Sequence, residues 1–377
     1  MLIEIHMLKN YPPTNLNRDD TGAPKTCTFG GVSRGRISSQ CLKRSWRTAP
    51  LFQEAVGAEN LGIRTRRLPD LVAEKLLAMG VSTDYVEAVT SKITGFCNKE
   101  GKETKDGKTA QVVFYADVDV DAVAQIVKEQ LDSCKSKDAV KKLKAKELQA
   151  TIKSAEIRPI TLDIALFGRM VTCDAFRDVE ASMQVAHAIS TNKMTMESDY
   201  FTAMDDLLSG ETQDEQGAAM IGDTDFNSAC YYVYASLDTD ALLENLKYTE
   251  HAEELVRKTV PALIRTMALT NPSGKQNSFA GHVLPSAMLV ECKDQKIPTS
   301  MVNAFVEPVR PNQNGDLVHN SVERLAQEAD MMFRNYGLEV SHRLWFCVDK
   351  YQVKPECQTE CCESLPALIR AVKEEMN

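Results

Sequence analysis

The sequence lacks an apolar run long enough to cross a bilayer, which requires about 18 to 20 residues. Residues 1–9 also lack the basic segment followed by an apolar segment that marks a secretory signal. We therefore expect a cytoplasmic chain without membrane contact, whose eleven cysteines are reduced thiols. At 377 residues the chain is longer than one compact core usually allows, so we expect two or three structural lobes.

Motifs for metal-dependent or nucleophilic catalysis are also missing. The six histidines include no pair at the helical i, i+4 spacing, and no GxSxG motif occurs. The cluster Cys357, Cys361 and Cys362 lacks the second pair of ligands that a structural zinc site needs. We favour ordinary thiols over a zinc site there, and we expect no cofactor.

One glycine-rich segment falls just short of the phosphate-binding loop of nucleotide triphosphatases. Gly30 and Gly35 have the required spacing, but Arg36 and Ile37 stand where that loop needs Lys and then Ser or Thr. Aromatic content is only 6%, and few aromatic residues alternate with basic ones, so no platform for base stacking is indicated. The sequence favours neither nucleotide hydrolysis nor recognition of bases by stacking.

Acidic residues are absent from residues 21–53, although the whole chain carries 53 acidic and 44 basic residues. The net charge of the chain is −9, so this positive segment is a local exception. A charge distribution polarised in this way is typical of a protein that binds a polyanion. The basic residues of the segment are Lys25, Arg34, Arg36, Lys43, Arg44 and Arg47.

The end of this segment predicts an amphipathic helix, with Ser38 and Ser39 as candidate N-caps. One face carries cationic and polar residues at i, i+3, i+4 and i+7, and the other face is apolar. We favour binding to a nucleic-acid backbone over an ordinary surface helix whose bases pair with acids elsewhere. The first face holds Gln40, Lys43, Arg44 and Arg47, and the second holds Leu42, Trp46 and Ala49.

The remaining patterns predict an α+β sheet of ferredoxin-like type with large insertions. Strands are expected at residues 2–8, 160–165, 228–237, 284–292 and 344–348. Helices are expected at residues 175–190, 252–269, 322–336 and 365–376. Residues 14–37 have the composition of a loop, residues 55–157 of mostly helical structure, and residues 192–225 of a long polar excursion.

Three features have both a structural and a functional interpretation. His187 lies among apolar neighbours in the predicted helix 175–190, so we interpret it as a core histidine. The lysine-rich residues 135–157 are interpreted as a solvated helix face, with nucleic-acid contact as the alternative. The carboxylate pairs at residues 19–20 and 205–206 are interpreted as loop or cap residues, because adjacent side chains point to different faces; a metal-assisted nuclease site is the alternative.

Several ordered motifs carry a resemblance to a known family. The first are Asn-Leu-Asn-Arg-Asp-Asp at residues 15–20, Phe-Gly-Gly at 29–31 and Arg-Ile-Ser-Ser-Gln-x-Leu-Lys-Arg at 36–44. Others occupy residues 163–170, 185–191, 199–206, 272–276 and 303–305. In order and spacing these segments resemble the CasC family, the backbone subunits of type I-E CRISPR Cascade complexes. The resemblance spans nearly the whole chain and is weakest at residues 55–157 and after residue 350.

The resemblance implies an RRM-like palm formed by residues 1–55, 158–194 and 227–377. It implies a helical fingers insertion at residues 56–157 and a protruding thumb at residues 195–226. Subunits of this family polymerise along the guide RNA, and the thumb of one copy displaces a base at regular intervals on its neighbour. A non-catalytic, RNA-sheathing role is therefore implied.

The resemblance also implies site residues and partners. The family's contacts to the guide backbone carry over to Arg18, Lys25, Ser38, Gln40, Lys43, Arg44 and Arg47. Met170, which follows Arg169, matches the apolar wedge beside the kinked nucleotide, and Met220 and Ile221 are implied thumb-tip contacts. The implied partners are crRNA, target DNA, further copies of the chain, and the large, small, Cas five-type and Cas six-type subunits of Cascade. Base pairing between guide and target would supply the sequence readout.

A second hypothesis comes from the related backbone subunits of type III complexes, which cut target RNA with a loop aspartate and Mg²⁺. Asp19 and Asp20 lie in a comparable segment of this sequence. We favour the non-catalytic role, because Arg18 and Lys25 would surround these acids and because the motifs match the DNA-targeting branch.

Overall fold

The computed structural model describes residues 1–134, 136–153, 158–173, 175–203, 220–313 and 315–376. The chain divides into two compact units. The sheet unit comprises Met1–Ala55, Gln184–Asp238 and Arg257–Asn377, and the helical unit comprises Val56–Met183 and Thr239–Val256. The boundaries of palm, fingers and thumb given above stay a prediction.

Runs of strands and runs of helices follow one another along the chain, and the predicted α+β class is confirmed. The strands are β1 (Leu2–Thr14), β2 (Thr26–Phe29), β3 (Val32–Ile37), β4 (Ile63–Thr65), β5 (Val113–Tyr115), β6 (Met183–Val185), β7 (Ala188–Ser190), β8 (Glu197–Ala203), β9 (Met220–Asp238), β10 (Ala287–Lys293), β11 (His342–Cys347) and β12 (Glu360–Cys361). The helices are α1 (Ser39–Arg47), α2 (Pro50–Val56), α3 (Leu68–Ala78), α4 (Thr83–Ile93), α5 (Asp117–Ser133), α6 (Lys137–Lys141), α7 (Ala145–Lys153), α8 (Leu162–Phe167), α9 (Thr239–Asn245), α10 (Ala252–Leu269), α11 (Gln276–Phe279), α12 (Leu317–Tyr336) and α13 (Leu365–Glu375). Short 3₁₀ helices occupy Ala58–Asn60, Thr94–Cys97 and Val302–Phe305.

The sheet unit is organised around one large sheet with the strand order β12-β11-β10-β1-β9-β7-β3-β2. Strand β1 lies in the middle, where Ile5 pairs with Ala235 of β9 and with Val290 of β10, both antiparallel. Residues 2–9 are all buried, since β1 lies between two neighbouring strands; Leu2, Ile3, Ile5, Met7 and Leu8 form a short apolar run, which the buried Glu4, His6 and Lys9 interrupt and extend. This run is the signal that predicted the strand.

One face of this sheet packs against helix α12. Leu8, Tyr232, Leu289 and Trp345 belong to the same buried cluster as the helix residues Val318, Val322, Leu325 and Ala329. Each fully buried side chain of this size contributes about 1.5 to 3 kcal/mol of transfer free energy. The core therefore fixes the sheet as a rigid support for the loops and the helix at its β2–β3 end.

Residues 14–37 were predicted to be a loop, and this prediction is wrong for β2 and β3. Gly30 and Gly31 form the two-residue connection between these antiparallel strands, with φ of 61° and 77°. Two successive positive φ angles are the requirement of a type I′ hairpin turn, which glycine meets without steric cost. A Cβ on Gly30 would also lie 1.8 Å from the carbonyl oxygen of Val306. These glycines therefore shape a hairpin.

Two further predictions for residues 160–190 are wrong. Residues 162–167 form helix α8 instead of a strand, because a short apolar run has no periodicity that separates a strand from a buried helix. The predicted helix 175–190 contains β7, in which Ile189 pairs with Arg36 on one side and with Tyr232 on the other. Pairing with two neighbouring strands overrides the helical spacing of the apolar residues.

The helical unit has its own core, as expected for a segment predicted to be mostly helical. Helices α3, α4, α5 and α7 contribute the buried side chains Val72, Leu76, Val89, Val123, Val127 and Leu148. In the lysine-rich segment 135–157, which was predicted as one helix, the described residues form two short helices, α6 and α7. Among the described residues, Lys137, Lys141 and Lys144 each lie within 4.0 Å of a carboxylate, so part of this positive charge is compensated locally.

None of the helices in the described part of the chain combines the length and the apolar character needed to cross a membrane.

Candidate nucleic-acid interface

Helix α1 begins as the sequence predicts, at an N-cap serine. The Ser38 side-chain oxygen accepts a hydrogen bond from the Cys41 amide at 3.3 Å, which satisfies one of the free N–H groups of the first turn. The amide of Ser38 donates to the Asn17 side-chain oxygen at 2.8 Å. Asn17 thereby ties the start of the helix to the loop that precedes β2.

The two faces of α1 have the predicted environments. Leu42 and Trp46 are buried in the sheet unit, at 4% and 2% exposure. Gln40 and Arg44 are exposed, while Lys43 and Arg47 are half-buried. Burial lowers the pKa of Lys43, because the charged ammonium loses part of its hydration. Partial desolvation of this kind strengthens the attraction between a cation and an anion placed beside it.

The loop from residue 15 to residue 25 is held by backbone contacts that leave several of its side chains exposed. The amide of Lys25 donates to the Asn17 carbonyl oxygen at 2.8 Å, and the amide of Asp19 donates to the Ala23 carbonyl oxygen at 2.9 Å. Arg18 pairs with Pro24 through an isolated β-bridge. The side chain of Arg18 is exposed and that of Lys25 is half-buried.

An open cleft of about 590 Å³ lies between this loop and α1. Its lining brings Arg18 and Arg44 together with the exposed Asp20. The remaining lining residues are Leu16, Asn17, Asp19, Thr21, Gly22, Cys41, Ser45, Ser273 and Gly274. The cleft therefore combines cations, amides and hydroxyls, which are the groups that hydrogen-bond phosphate oxygens.

Asp19 has a clear structural role in this loop. Its Oδ1 atom accepts hydrogen bonds from the Thr21 amide at 2.9 Å, the Thr21 hydroxyl at 2.7 Å and the Ala23 amide at 3.1 Å. The bond from the Thr21 hydroxyl, followed by those from the backbone amides, lowers the pKa of Asp19. This carboxylate organises the turn, as its interpretation as a loop residue predicts. Cleavage by Asp19 or Asp20 stays the alternative hypothesis.

Arg34 was counted with the positive segment, but it does not contribute to a cationic surface. Its side chain is fully buried, and its guanidinium donates to five backbone carbonyl oxygens at 2.7 to 3.3 Å. The acceptors belong to Phe29, Ser190, Thr191, Phe305 and Val306. Arg34 therefore connects β3 with the end of β7 and with the chain segment at Phe305.

His187 was interpreted as a core histidine, and this interpretation is wrong. The residue follows β6 and precedes β7, and its side chain is exposed. Its Nδ1 atom lies 3.1 Å from Nη1 of Arg36, which is a half-buried residue of β3. No local sequence pattern indicates this contact, because it depends on β3 and β7 being neighbours in the sheet.

Arg169 and Met170 lie in the helical unit, where their surroundings differ sharply. Arg169 is 5% exposed, and its Nη1 atom lies 2.6 Å from Oδ2 of Asp119. The same Nη1 atom donates to the Phe114 carbonyl oxygen at 3.2 Å, and Nε donates to the Arg177 carbonyl oxygen at 3.1 Å. The resemblance predicts Arg169 as a crRNA contact, and this stays a prediction; its buried contacts give it a role inside the fold.

The Met170 side chain is 87% exposed. Backbone hydrogen bonds hold both neighbours: Arg169 exchanges two with Val179, at 2.9 and 2.8 Å, and the Val171 amide donates to Asp178 Oδ1 at 2.7 Å. Gly168 starts this segment with a φ of 80°, a conformation that favours glycine. A large apolar side chain is thus presented to solvent by an anchored backbone.

The thumb residues are described only in part. β8 pairs with the first residues of β9 as an antiparallel ribbon, in which Ala203 and Thr202 pair with Met220 and Ile221. The side chains of Met220 and Ile221 lie outside the described residues, as do residues 204–219 with the carboxylate pair at 205–206. In the part of the chain that the structure describes, no group of three or more His, Cys, Asp or Glu residues could hold a metal ion.

Comparison with known proteins gives matches over the whole chain. A sequence model for the CT1975-like protein family matches residues 3–371. A chain of a "CRISPR RNA-guided surveillance complex, pre-nicking" is similar over 100% of both chains, with a TM-score of 0.80 and 26% identity. A chain of a "CRISPR RNA-guided surveillance complex" has the same coverage, a TM-score of 0.62 and 22% identity, and its likeness bears on the fold alone. A search of curated proteins gave no match.

Proposed function

The chain belongs to the CT1975-like protein family, and from this premise we propose that it is a backbone subunit of a Cascade-type CRISPR surveillance complex. Two observations support the assignment. The family match covers residues 3–371, and the similarity to a surveillance-complex chain at 26% identity covers both chains completely. Because the similarity covers the whole chain, it favours the role of a backbone subunit for the whole chain.

The finer proposal is a non-catalytic subunit of a type I-E complex. It sheathes crRNA, kinks it at regular intervals and presents it for pairing with target DNA. Its further partners are copies of itself and the large, small, Cas five-type and Cas six-type subunits, in the cytoplasm. The order of motifs from residue 15 to residue 305 supports this subtype.

The observation that carries the proposal is the cationic surface of the sheet unit. Arg18 and Arg44 line one cleft, with Lys25 in the adjoining loop and Lys43 and Arg47 along the same helix. Their donors suit phosphate and sugar oxygens, which are the same at every nucleotide. The surface therefore fits a guide of any sequence, since base pairing with the target supplies the readout.

Met170 supports the proposed kinking of the guide. A methionine that is 87% exposed gains nothing for folding, and its anchored backbone keeps its position fixed. Inserting an apolar side chain between bases costs a few kcal/mol of unstacking, so a wedge works best when it is already in place. Met220 and Ile221 stay proposed thumb-tip contacts.

Co-expression with a repeat-spacer transcript tests the function. We expect the chain to co-purify with a protected RNA of uniform length as a multi-copy particle, visible by electron cryo-microscopy. Copies recovered as free monomers without RNA, under conditions where a known Cascade backbone subunit assembles, would refute the proposal.

The cleavage hypothesis has a separate test. The assembled complex is incubated with complementary RNA and Mg²⁺, and the products are separated by length. We expect no site-specific cutting by the wild-type protein. Regular cuts that disappear in Asp19→Ala or Asp20→Ala would replace the non-catalytic role with the type III-like one.

A further inference from the structure

We propose that Arg64 and Phe114, in the helical unit, form a stacking site for one unpaired nucleobase. The ligand is the flat face of a base that has been displaced from its strand, as proposed for the nucleotide beside Met170. This inference rests on the proposed function and deepens it, because it names a place for the displaced base. We call the two residues the Arg64–Phe114 platform.

Strand pairing brings the two side chains together. Arg64 of β4 is the direct cross-strand partner of Phe114 of β5, and the two strands form a separate two-stranded sheet. Directly opposed side chains share one face of such a ribbon and interact there. The Arg64 guanidinium carbon lies over the Phe114 ring, 5.6 Å from its centroid, within the range of a cation–π contact. No sequence pattern indicates this pair, because its members lie far apart in the chain.

The Arg64 guanidinium is available to a ligand. Its side chain is exposed, and among the described residues it has no hydrogen-bond acceptor and no carboxylate partner. The other arginines that lie over an aromatic ring in the described ranges are Arg34, Arg169 and Arg343. All three are at most 5% exposed, and their guanidinium groups donate to carbonyl or carboxylate oxygens. Arg64 is therefore the member of this group that is open to solvent.

Two neighbouring arginines of the same segment are compensated. Arg66 donates to the Thr109 carbonyl oxygen at 2.6 Å and to the Asp106 carboxylate at 2.9 Å. Arg67 lies 2.5 Å from the Asp70 carboxylate. Without such a partner, the Arg64 guanidinium keeps its charge and its donors for a ligand. A planar, weakly hydrated guanidinium held on a ring offers a surface on which a base of any identity can stack.

The platform is anchored to the segment that carries Met170. Nη1 of Arg169 donates to the Phe114 carbonyl oxygen at 3.2 Å, and Met170 is the next residue along the chain. The same Nη1 atom lies 2.6 Å from Oδ2 of Asp119, which fixes the position of the arginine. All of these residues belong to the helical unit. One arginine side chain therefore bridges the backbone beside Met170 and the strand that carries the ring.

An unpaired base is the ligand that fits these features. A base within a stack has both faces covered, whereas a displaced base exposes a face that an aromatic ring or a guanidinium plane can cover. A phosphate group would need several converging donors, and the platform supplies one guanidinium over a hydrocarbon ring. Guide RNA and target DNA present the same π face, so the displaced base of either strand has the required chemistry.

The test is a double-mutant cycle between the base and the side chain. The full-length chain is assembled on a guide RNA, and the displaced positions are located by chemical probing. A second guide carries abasic residues at those positions only, which leaves the backbone charge and the pairing with the target unchanged. For wild type we expect binding to the abasic guide to be weaker by about 5-fold or more, the lower end for loss of one stacked base.

Arg64→Lys keeps the positive charge but removes the guanidinium plane. We expect this variant to bind both guides alike and to keep the wild-type dependence on salt, because no phosphate contact is lost. Phe114→Leu, which removes the ring and keeps an apolar side chain, should also bind both guides alike. Arg67→Lys is the matched control, at an exposed arginine of the same segment that is paired with Asp70, and it should still favour the natural guide.

The same cycle with abasic residues in the target DNA strand, opposite the displaced positions, identifies the source of the base. A loss confined to the abasic guide assigns the platform to guide RNA, and a loss confined to the abasic target assigns it to target DNA. In either case the loss should be absent in Arg64→Lys.

Two outcomes would overturn the platform. One is an equal loss on the abasic strand in wild type, Arg64→Lys and Phe114→Leu, because the base would then be held elsewhere. The other is a wild type that binds natural and abasic strands alike, for guide and target both. A particle that still assembles on RNA leaves the proposed function standing in both cases. A chain that assembles on neither guide refutes the proposed function, and the stacking site with it.

Discussion

Arg34 and Arg36 lie two positions apart on the same face of β3, yet they serve different purposes. Side chains at i and i+2 of a strand point the same way, so the difference comes from what covers them. The end of β7 and the segment at Phe305 enclose Arg34 in carbonyl oxygens, and Arg36 lies beyond that cover. A cation surrounded by five acceptors holds the fold together and is not accessible to a ligand.

Replacing Arg34 by lysine tests this structural role. Lysine keeps the charge but cannot reach five carbonyl groups, and unpaired buried polar groups cost about 1 to 3 kcal/mol each. We expect Arg34→Lys to lower the free energy of unfolding by about 3 kcal/mol. Denaturation followed by tryptophan fluorescence measures it, because both tryptophans, Trp46 and Trp345, belong to the sheet unit. Arg36→Lys is the control and should change stability by less than about 1 kcal/mol.

Lys9 gives a second prediction for a single residue. It is 3% exposed, its Nζ donates to the Thr270 carbonyl oxygen at 2.9 Å, and burial lowers its pKa to about 7. Unfolding restores a pKa of about 10.4, so between about pH 7 and pH 10 the unfolded chain holds more protons. Lys9 should therefore make the free energy of unfolding rise with pH there, by up to about 1.4 kcal/mol per unit.

The comparison with Lys9→Met isolates this contribution. Buried tyrosines and cysteines titrate with the opposite sign at high pH, so the difference between wild type and variant is the quantity to measure. We expect Lys9→Met to be more stable at pH 7 and the difference to shrink toward pH 10. Lys354→Met, at an exposed lysine, should run parallel to wild type. A pH-independent difference at Lys9 would mean that the lysine is not buried as a titrating group.

At the scale of elements, the sequence pattern of helix α1 agrees with the way the helix packs in the folded chain. The sequence alone predicted the start of α1 from its N-cap serine. It predicted the two faces from the apolar pair Leu42 and Trp46 and from the cationic residues Lys43, Arg44 and Arg47. The β2–β3 hairpin was missed, although Gly30 and Gly31 are a hairpin signal. Residues 14–37 were predicted to be a loop because the composition around these two glycines is polar and rich in glycine.

Other parts of the fold could not be read from local patterns. The stretch at residues 183–190 has apolar residues at helical spacing, and only its strand neighbours β3 and β9 decide its structure. Because residues 175–190 were predicted to form a helix, His187 was assigned to the core. It lies between β6 and β7 instead, where its side chain is exposed. Helix α12, by contrast, was predicted at residues 322–336, and in the structure it spans Leu317–Tyr336 and packs on one face of the sheet. Long periodic elements are predictable, and short ones depend on partners distant in sequence.

Reversing two charges on α1 should abolish guide retention. Lys43→Glu with Arg47→Glu changes the charge of the cationic face of α1 by −4, and neither side chain belongs to the buried face formed by Leu42 and Trp46. We expect RNA affinity at physiological salt to fall by more than about 100-fold, because several phosphate contacts are replaced by repulsion. Filter binding measures affinity, and circular dichroism checks that the chain is folded.

The matched control places the same charge change on another helix of the sheet unit. Arg370 and Lys373 are exposed residues of α13, one turn apart. Arg370→Glu with Lys373→Glu should retain the guide RNA almost as wild type does. Equal losses in both double variants would indicate a response to net charge only, and would remove the special role of α1.

At the scale of the whole molecule, the charge distribution agrees with the proposed assembly. A chain of net charge −9 is repelled by RNA except where its cations are collected, so binding is confined to one surface. Phosphate contacts hold the polymer without reading its bases. Regular spacing along the guide then needs a separate contact that acts once per subunit, and we propose Met170 for it, since at 87% it is the most exposed large apolar side chain among the described residues.

Met170→Ala separates spacing from affinity. Because the side chain is 87% exposed, its truncation should change the free energy of unfolding by less than about 0.5 kcal/mol. It makes no phosphate contact, so we expect guide affinity within about 2-fold of wild type and an unchanged salt slope. Chemical probing of the assembled guide should show weaker periodic reactivity, since nothing then fills the gap at the displaced base.

Asp119→Asn provides the complementary variant, because it keeps Met170 but weakens the ion pair that orients Arg169. We expect the same loss of periodic reactivity, with a smaller effect on affinity than any change on α1. Met331→Ala, at a partly exposed methionine of α12, is the control and should keep the wild-type pattern. Undiminished periodicity in Met170→Ala would rule out the wedge, and the spacing would then have to come from the thumb alone.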